Sequence, residues 1–393
     1  MTNFTLNPDT IMPADSGRAT LIGRAWRPGE IPGPSVVVIR GGNVYDISHL
    51  APTVSELLNR KDALSALQAH EGEAMGSVAD VLANSHADAL DPSRPQFLAP
   101  VDLQALKACG VTFVRSTLER VIEEHTKGDP AGAQAAREKI DREIGGDLAK
   151  VKPGSEEAER LKQMLIERGL WSQYLEVGIG PYAEVFTKAQ PMSAVGTGAE
   201  VGLHPDSTWN NPEPEVVMIA NAAGRSVAAT LGNDVNLRDF EGRSALLLGR
   251  AKDNNASCAI GPFLRLFDEH FGIDDVRAFE VSLTVEGPDG FVMEGNSSMA
   301  EISRDPLDLV GQTIGRNHQY PDGLALFTGT MFAPVEDRDS PGMGFTHKLG
   351  DVVTIAAPQL GALVNRVTLS NKTAPWTFGT GALMRNLAAR KLI

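Results

Sequence analysis

Apolar positions in this chain come in short runs with turn residues between them. Ala19-Thr-Leu-Ile22, Ser35-Val-Val-Val-Ile39 and Val44-Tyr-Asp-Ile47 are separated by Pro28-Gly29, Pro32-Gly33 and Gly41-Gly42, the punctuation of successive strands. Thr53-Val-Ser-Glu56 has the spacing of a capping box and predicts a helix start. Residues 1–95 are therefore expected to form a small α/β module, with Asp91-Pro-Ser-Arg-Pro95 and Pro100 as a linker. From Val114 to Gly169 the period changes. Val114, Leu118, Val121 and Ile122, then Leu161, Met164 and Leu165, recur at three and four, which predicts amphipathic helices broken at Gly128-Asp-Pro130, Gly145-Gly146 and Pro153-Gly154. Past Leu175 the short β runs return, up to a last strand near Ala362-Leu-Val364 and a terminal helix around Ala382–Lys391. The pattern predicts a strand-rich α+β chain: a module at 1–95, then one large domain at 96–393 with a helical insertion at about 114–169.

Composition narrows the function classes. The 393 residues carry 36 Lys+Arg against 50 Asp+Glu, a formal charge of −14, and no basic patch offsets it, so nucleic acid is not the expected partner. The longest apolar runs, such as Val36–Ile39, fall far short of the ~20 residues that span a bilayer, and the first twenty residues lack a secretory pattern. No membrane partner is expected, and a cytoplasmic location is. Two cysteines, Cys109 and Cys258, are too few for a disulfide framework and lack zinc spacing, so they read as reduced, buried thiols. With 39 Gly and 24 Pro, about a sixth of the chain, and only 6 % aromatics, turns and strands are favoured over a helical bundle.

The candidate chemistry is carboxylate chemistry. In Asn210-Asn-Pro-Glu213-Pro-Glu215-Val-Val-Met-Ile219, two prolines lead into a β run, so Glu213 and Glu215 share one face of a strand. At roughly 6.6 Å their repulsion is about 2.5 kcal/mol at an effective dielectric of 20 and about 0.6 kcal/mol in water. A solvated acidic strand start and a ligand pair both stand at this point. Ala228-Ala-Thr-Leu-Gly232-Asn-Asp234 then brings a third carboxylate to the end of the next strand, although Asp234 and Asp239 also suit helix caps. Three carboxylates without Cys or His make an oxygen-only set, which suits Mg²⁺, Mn²⁺ or Ca²⁺. Elsewhere, Gly178-Ile-Gly180-Pro-Tyr-Ala183 fits GxGxxA but carries a proline where a helix should open. His204 and His347 fall in segments near the acidic cluster, where structural roles are the commoner ones.

Glu213-Pro-Glu215, Gly232-Asn-Asp234-Val-Asn-Leu-Arg-Asp239, Arg250-Ala-Lys252 through Gly261-Pro262, Thr328-Gly-Thr330 and Gly350-Asp351-Val-Val occur in an order and spacing that resembles the fumarylacetoacetate hydrolase family, over about residues 98–393. Glu184-Val-Phe-Thr-Lys188 is similar to that family's segment entering the β body. The resemblance implies a mixed β-roll or β-sandwich catalytic domain, a divalent ion on Glu213, Glu215 and Asp234, 2-oxo acid substrates, and a homodimer or homotetramer.

The family's C–C hydrolases place a histidine, with a glutamate three residues on, on a short lid helix. Here Ser116 and Glu119 hold those positions, and a serine without a neighbouring base cannot stand in for imidazole near neutral pH. The chain looks instead like the family's sugar-acid dehydratases, lyases that act on 2-keto-3-deoxy pentonates of the D-xylonate or D-arabinonate type. That likeness implies Mg²⁺, a metal-stabilised enolate, loss of the C4 hydroxyl and formation of 2,5-dioxopentanoate. It places Lys252 beside the developing charge and Glu184 in proton transfer, with Arg115, Ser116 and Thr330 on the substrate. Glu119 is as well read as an ion-paired helix position, and Lys188 as structural. The rivals are an acylpyruvate-type C–C hydrolase on the same fold and a non-enzymatic domain with a structural ion.

Overall fold

Every residue of the Pro214–Ala220 strand is buried, and the molecule is arranged around it. The computed structural model describes residues 4–140, 151–334, 336–341 and 344–393. Its main sheet has 11 strands. The order is Glu73–Ser77, Asn43–Asp46, Gly33–Arg40, Leu21–Arg27, Cys258–Leu266, Ser226–Asp234, Pro214–Ala220, Leu324–Phe327, Ala105–Gly110 and Glu184–Ala189, with Gln96–Leu98 added beside Leu21–Arg27. Leu324–Phe327 and Ala105–Gly110 run parallel; the other neighbours are antiparallel. A five-stranded sheet packs against it, in the order Val292–Ser298, Glu280–Glu286, Val352–Ala357, Gly361–Leu369 and Glu200–Leu203. Neither sheet closes on itself.

Period-two alternation explains how the central strand serves two cores. Val216 and Met218 pack with Val281, Leu283, Val353 and Ile355 of the second sheet. Val217 and Ile219 face the other way, onto Ile22, Val36 and Val38 and onto Leu57 and Leu58 of the Val54–Asn59 helix. That helix starts as its sequence predicts, with the Thr53 hydroxyl accepting from the Glu56 N–H at 3.0 Å. The strands of residues 1–95 are hydrogen-bonded into the main sheet, because Leu21 and Ile22 pair with Arg265 and Leu264. The Asp91–Pro95 stretch is a tethered turn. The Asn84 amide donates to the carbonyls of Asp91, Arg94 and Pro95 at 3.0–3.1 Å.

Helices Val114–Thr126, Ala133–Ile140, Glu156–Glu167 and Gln173–Ile179 form the expected helical excursion around a small core of their own that includes Val121, Ile122, Leu161, Leu165 and Leu175. The predicted break at Gly128-Asp-Pro130 separates the first two of these helices, with Pro130 opening a short 3-10 turn, and Gly154 precedes the third; the one at Gly145-Gly146 lies outside the described residues. Strand Gly361–Leu369 and helix Thr380–Ala389 close the chain where the pattern puts them. Cys109 and Cys258 are buried and unpaired. Among the described residues no helix is long and apolar enough to cross a membrane.

Gly232 marks a place where the main sheet leaves no room for a side chain. It lies opposite Glu215, and a Cβ there would stand 2.3 Å from Phe327 Cε1 and 2.6 Å from Val217 Cγ2. Both neighbours are fully buried and cannot retreat, so Gly232→Ala should lower stability by about 1–3 kcal/mol. A urea titration would read this as a lower midpoint at unchanged m-value.

Candidate active site

Strand register builds the site. Pro214 pairs with Asn233 and Glu215 with Gly232, and the Asp234 N–H donates to the Glu213 carbonyl at 3.1 Å, which sets Asp234 opposite Glu213. Opposed residues, and residues two apart, share a face of an antiparallel pair. All three carboxylates therefore emerge together, with one oxygen of each within 4.8 Å of the others. They line a cavity of about 50 Å³ together with Ser116, Arg120, Tyr174, Glu184, Glu241, Lys252 and Thr330. Alternation along Glu184–Ala189 aims Glu184 and Phe186 into the same cavity and puts Lys188 behind it, fully buried, 2.7 Å from Asp234. A backbone donor completes the wall, the Gly329 N–H meeting Glu215 Oε2 at 2.6 Å. Gly329 has φ +90°, and a Cβ would lie 2.0 Å from the Thr112 hydroxyl oxygen.

Charge in the cavity does not balance. Lys252 Nζ is 2.9 Å from Asp234, 3.0 Å from Glu241 and 4.0 Å from Glu213. Arg120 reaches Glu241 at 2.8 Å and Glu213 at 3.4 Å. Arg120 also touches Glu123 at 2.7 Å, but Arg238 neutralises that carboxylate from its other side at 2.7 Å. Arg120, Lys188 and Lys252 thus face five carboxylates, those of Glu184, Glu213, Glu215, Asp234 and Glu241, and two negative charges stand in excess.

The acidities respond to that excess. Burial, with the charges of Asp234 and Glu241, pushes Glu213 up to about 7 against the pull of Lys252 and Arg120. Glu215 is driven well above the carboxylate range by burial and by Asp234 and Glu213. Burial works the same way on Asp234, but Lys188 and Lys252 overcome it and hold Asp234 below its ordinary value. Lys252, whose burial alone would favour the neutral amine, is raised by Asp234, Glu241 and Glu213 and stays charged. Glu184 is raised, chiefly by burial. A divalent cation supplies two positive charges, and three hard oxygen donors fit Mg²⁺ or Mn²⁺.

Residues 175–368 match the family model described as fumarylacetoacetate (FAA) hydrolase C-terminal. They form a fumarylacetoacetate hydrolase family domain. A Haloferax volcanii protein named "Probable 2-keto-3-deoxyxylonate dehydratase" is 31% identical over 202 residues, 51% of this chain and 66% of that protein. A 2-dehydro-3-deoxy-D-arabinonate dehydratase of Saccharolobus solfataricus is 30% identical over 189 residues, 48% of this chain and 60% of its own. The matched stretches thus span somewhat under two thirds of these relatives' lengths. In fold the chain is similar to a 2-keto-3-deoxy-D-arabinonate dehydratase complexed with magnesium and 2,5-dioxopentanoate, with a TM-score of 0.60 at 20% identity, covering 89% of this chain and 99% of that one.

The family domain and the preceding helix bring most of the singled-out residues together. Glu213, Glu215, Asp234, Lys252, Glu184, Ser116 and Thr330 line one cavity. Arg115 does not join them. It is exposed, and its guanidinium donates to the Ala333 carbonyl at 3.4 Å. Ser116 and Arg120, one helical turn apart, share the inward face, so the i+4 spacing from Ser116 was the signal for Arg120. The Ser116 hydroxyl donates to the Phe113 carbonyl at 2.9 Å and closes the first helical turn. Glu119 is buried in an ion-paired position, held by Arg137 at 2.7 and 2.8 Å and by Arg238 at 2.9 Å. Glu241 had no sequence signal. It sits in Arg238–Arg243, which reads as a surface helix although its residues from Arg238 to Gly242 are buried.

Among the described residues no histidine lines the cavity. His204 packs edge-on to Phe240, and His347 pairs with Asp351 at 2.9 Å. The Gly178–Ala183 stretch ends helix Gln173–Ile179, with Arg304 donating to the Val177 and Gly180 carbonyls. Asp239 accepts from the Ser207 hydroxyl and the Thr208 N–H, each at 2.8 Å, and so ties a loop.

Folding gives Glu213 a pKa of about 7 from an ordinary 4.5, so the cation-free fold binds a proton that the unfolded chain has released. The stability this group contributes is full below about 4.5 and is lost as pH rises through 7. Added Mg²⁺ should therefore raise Tm by several degrees more at pH 8 than at pH 5.5 in differential scanning fluorimetry. Equal shifts at the two pH values would count against the cluster as the binding site.

Proposed function

We propose that the chain is a divalent-cation-dependent dehydratase, a lyase that converts a 2-keto-3-deoxy pentonate of the D-xylonate or D-arabinonate type into 2,5-dioxopentanoate and water. One observation carries this reading. A single small cavity combines a three-carboxylate seat, a buried charged lysine and a glutamate of raised pKa, with no imidazole among its described lining residues. The names of the two curated relatives and the ligands of the magnesium-bound neighbour support the same substrate class.

A cation held by Glu213, Glu215 and Asp234 would supply Lewis-acid polarisation of a 2-oxo carboxylate. The side chains of the cavity account for the rest. Lys252, kept cationic by Asp234 and Glu241, stabilises the negative charge that gathers on the C2 oxygen when a C3 proton leaves. Glu184, with its pKa raised toward neutrality, takes that proton. The C4–O bond then breaks, hydroxide departs as water with a proton, and a C3–C4 double bond conjugated with the C2 ketone forms. A proton lost from C5 and one gained at C3 move the double bond to C4–C5. Transfer of the C5 hydroxyl proton to C4 leaves the aldehyde. The balance is substrate to product plus one water, and Glu184 serves alternately as base and acid. Ser116 and Thr330 line the wall where sugar hydroxyls and the carboxylate end would lie. C–C hydrolysis would need an activated water, and the groups at the hydrolases' base positions are committed: Ser116 to the Phe113 backbone, Glu119 to Arg137 and Arg238.

With Mg²⁺ and 2-keto-3-deoxy-D-xylonate or -D-arabinonate, a coupled aldehyde dehydrogenase assay should register 2,5-dioxopentanoate, and EDTA should stop it. Release of pyruvate from an acylpyruvate, with neither sugar acid consumed, would instead make the chain a C–C hydrolase. Glu184→Gln should lower kcat by about 10²–10⁴-fold at unchanged Tm. Glu213→Gln should abolish turnover in a folded protein; a wild type inactive on all these substrates, with a variant that only loses thermal stability, would leave the cation a structural role.

A further inference from the structure

A second cavity, of about 350 Å³, shares no lining residue with the carboxylate cluster and lies between the Leu21–Arg27 strand and the C-terminal segment around residues 373–378. Its volume lies in the range of small-molecule sites. Trp26, Phe97, Met192, Trp376 and Phe378 form much of its wall, and Arg24 lies at its base. A polyhydroxylated pentonate has no apolar body to set against such aromatic walls.

Arg24 is the feature the fold leaves unexplained. It is 6 % exposed, yet among the described residues its guanidinium donates only to neutral acceptors. Nη1 donates to the Val101 carbonyl at 2.7 Å and to the Ala99 carbonyl at 3.3 Å, and Nη2 lies 3.8 Å from the Met192 thioether sulfur, a weak acceptor. Two of its five N–H donors are left without an assigned partner among the described residues. The carboxylate whose charge bears on it, Asp102, accepts instead from the Val54, Ser55 and Leu103 N–H groups. The cavity's own carboxylate, Glu200, meets Arg366 at 2.8 Å, a guanidinium it shares with Asp88. A buried guanidinium that touches no carboxylate directly is costly, and an anion hydrogen-bonded to it offsets that cost.

We propose that this cavity binds an organic anion with an apolar, aromatic-sized body, its carboxylate seated on Arg24 and its body between Trp26, Phe97, Trp376 and Phe378. The site is separate from the catalytic cavity, and the assignment does not depend on the reaction proposed above.

Isothermal titration of the full chain with 2-naphthoate and with its uncharged counterpart 2-naphthamide tests it. Saturable binding of one naphthoate per chain is expected, at least tenfold tighter than the amide, with quenching of tryptophan fluorescence. Arg24→Met should erase the preference for the anion. Ala194→Phe, which fills the cavity and leaves Arg24 in place, should block both compounds and guards against a misfolded Arg24 variant. Oxalate with Mg²⁺, a small dianion suited to the carboxylate cluster, should not displace naphthoate. Equal affinity for the amide, displacement by oxalate, a preference that survives Arg24→Met, or no saturable binding, as when a second copy of the chain covers the opening, would each overturn the assignment.

Discussion

Concentrating negative charge at one end of a buried strand pair is the constraint that organises this protein. Register alone places Glu213, Glu215 and Asp234 on one face, and an isolated buried carboxylate is strongly disfavoured. The fold answers with cations from three distant segments: Lys188 from the strand that ends the main sheet, Lys252 from the turn after helix Leu248–Ala251, and Arg120 from the helical excursion. Removing one partner from such a buried group typically costs about 3–5 kcal/mol, because its counterpart is stranded. Even so the compensation is incomplete, and the raised pKa values of Glu213 and Glu215 follow from what is missing.

The helical excursion is wired to this charge balance. Arg137 binds Glu119, Glu119 and Glu123 bind Arg238, Glu123 binds Arg120, and Arg120 joins Glu241, which in turn meets Lys252. The alternation of sign lets helices that are otherwise packed around their own core dock on the β body through polar contacts. Arg238 also stacks its guanidinium 4.1 Å over the Trp209 ring, so the same group serves as ion-pair partner and as a flat face on an aromatic ring. A side chain such as Glu241 thus acts on the site by fixing Lys252 and Arg120, although nothing in its own sequence neighbourhood marks it.

Local chemistry was legible in the sequence, and distant pairing was not. Alternation and proline placement identified the strand with Glu213 and Glu215, the Thr53–Glu56 spacing gave a helix cap, and the change of period at Val114 gave the helices. The motifs that resemble the family carried Lys252 and Glu184 to the cavity they line. Arg115 lies off the cavity for a reason that motif adjacency does not report, helical phase: one residue turns a side chain by about 100°, and Arg120, a full turn from Ser116, points inward. The junction of the first 95 residues with the rest was hidden for another reason. It rests on hydrogen bonds between Leu21–Ile22 and Leu264–Arg265, and no composition shift reports a partner more than two hundred residues away.

That pairing pattern has a consequence during synthesis. Strand Leu21–Arg27 waits for Cys258–Leu266, strand Ala105–Gly110 for Leu324–Phe327, and strand Glu200–Leu203 for Gly361–Leu369. A ribosome must therefore deliver the chain as far as Phe327 before the main sheet can be completed and as far as Leu369 before the second, and earlier strands emerge with open edges. Chains of such high contact order fold slowly and expose edges that can pair with other molecules. Those waiting edges, rather than the finished sheets, are where competing associations can begin until strand Gly361–Leu369 arrives.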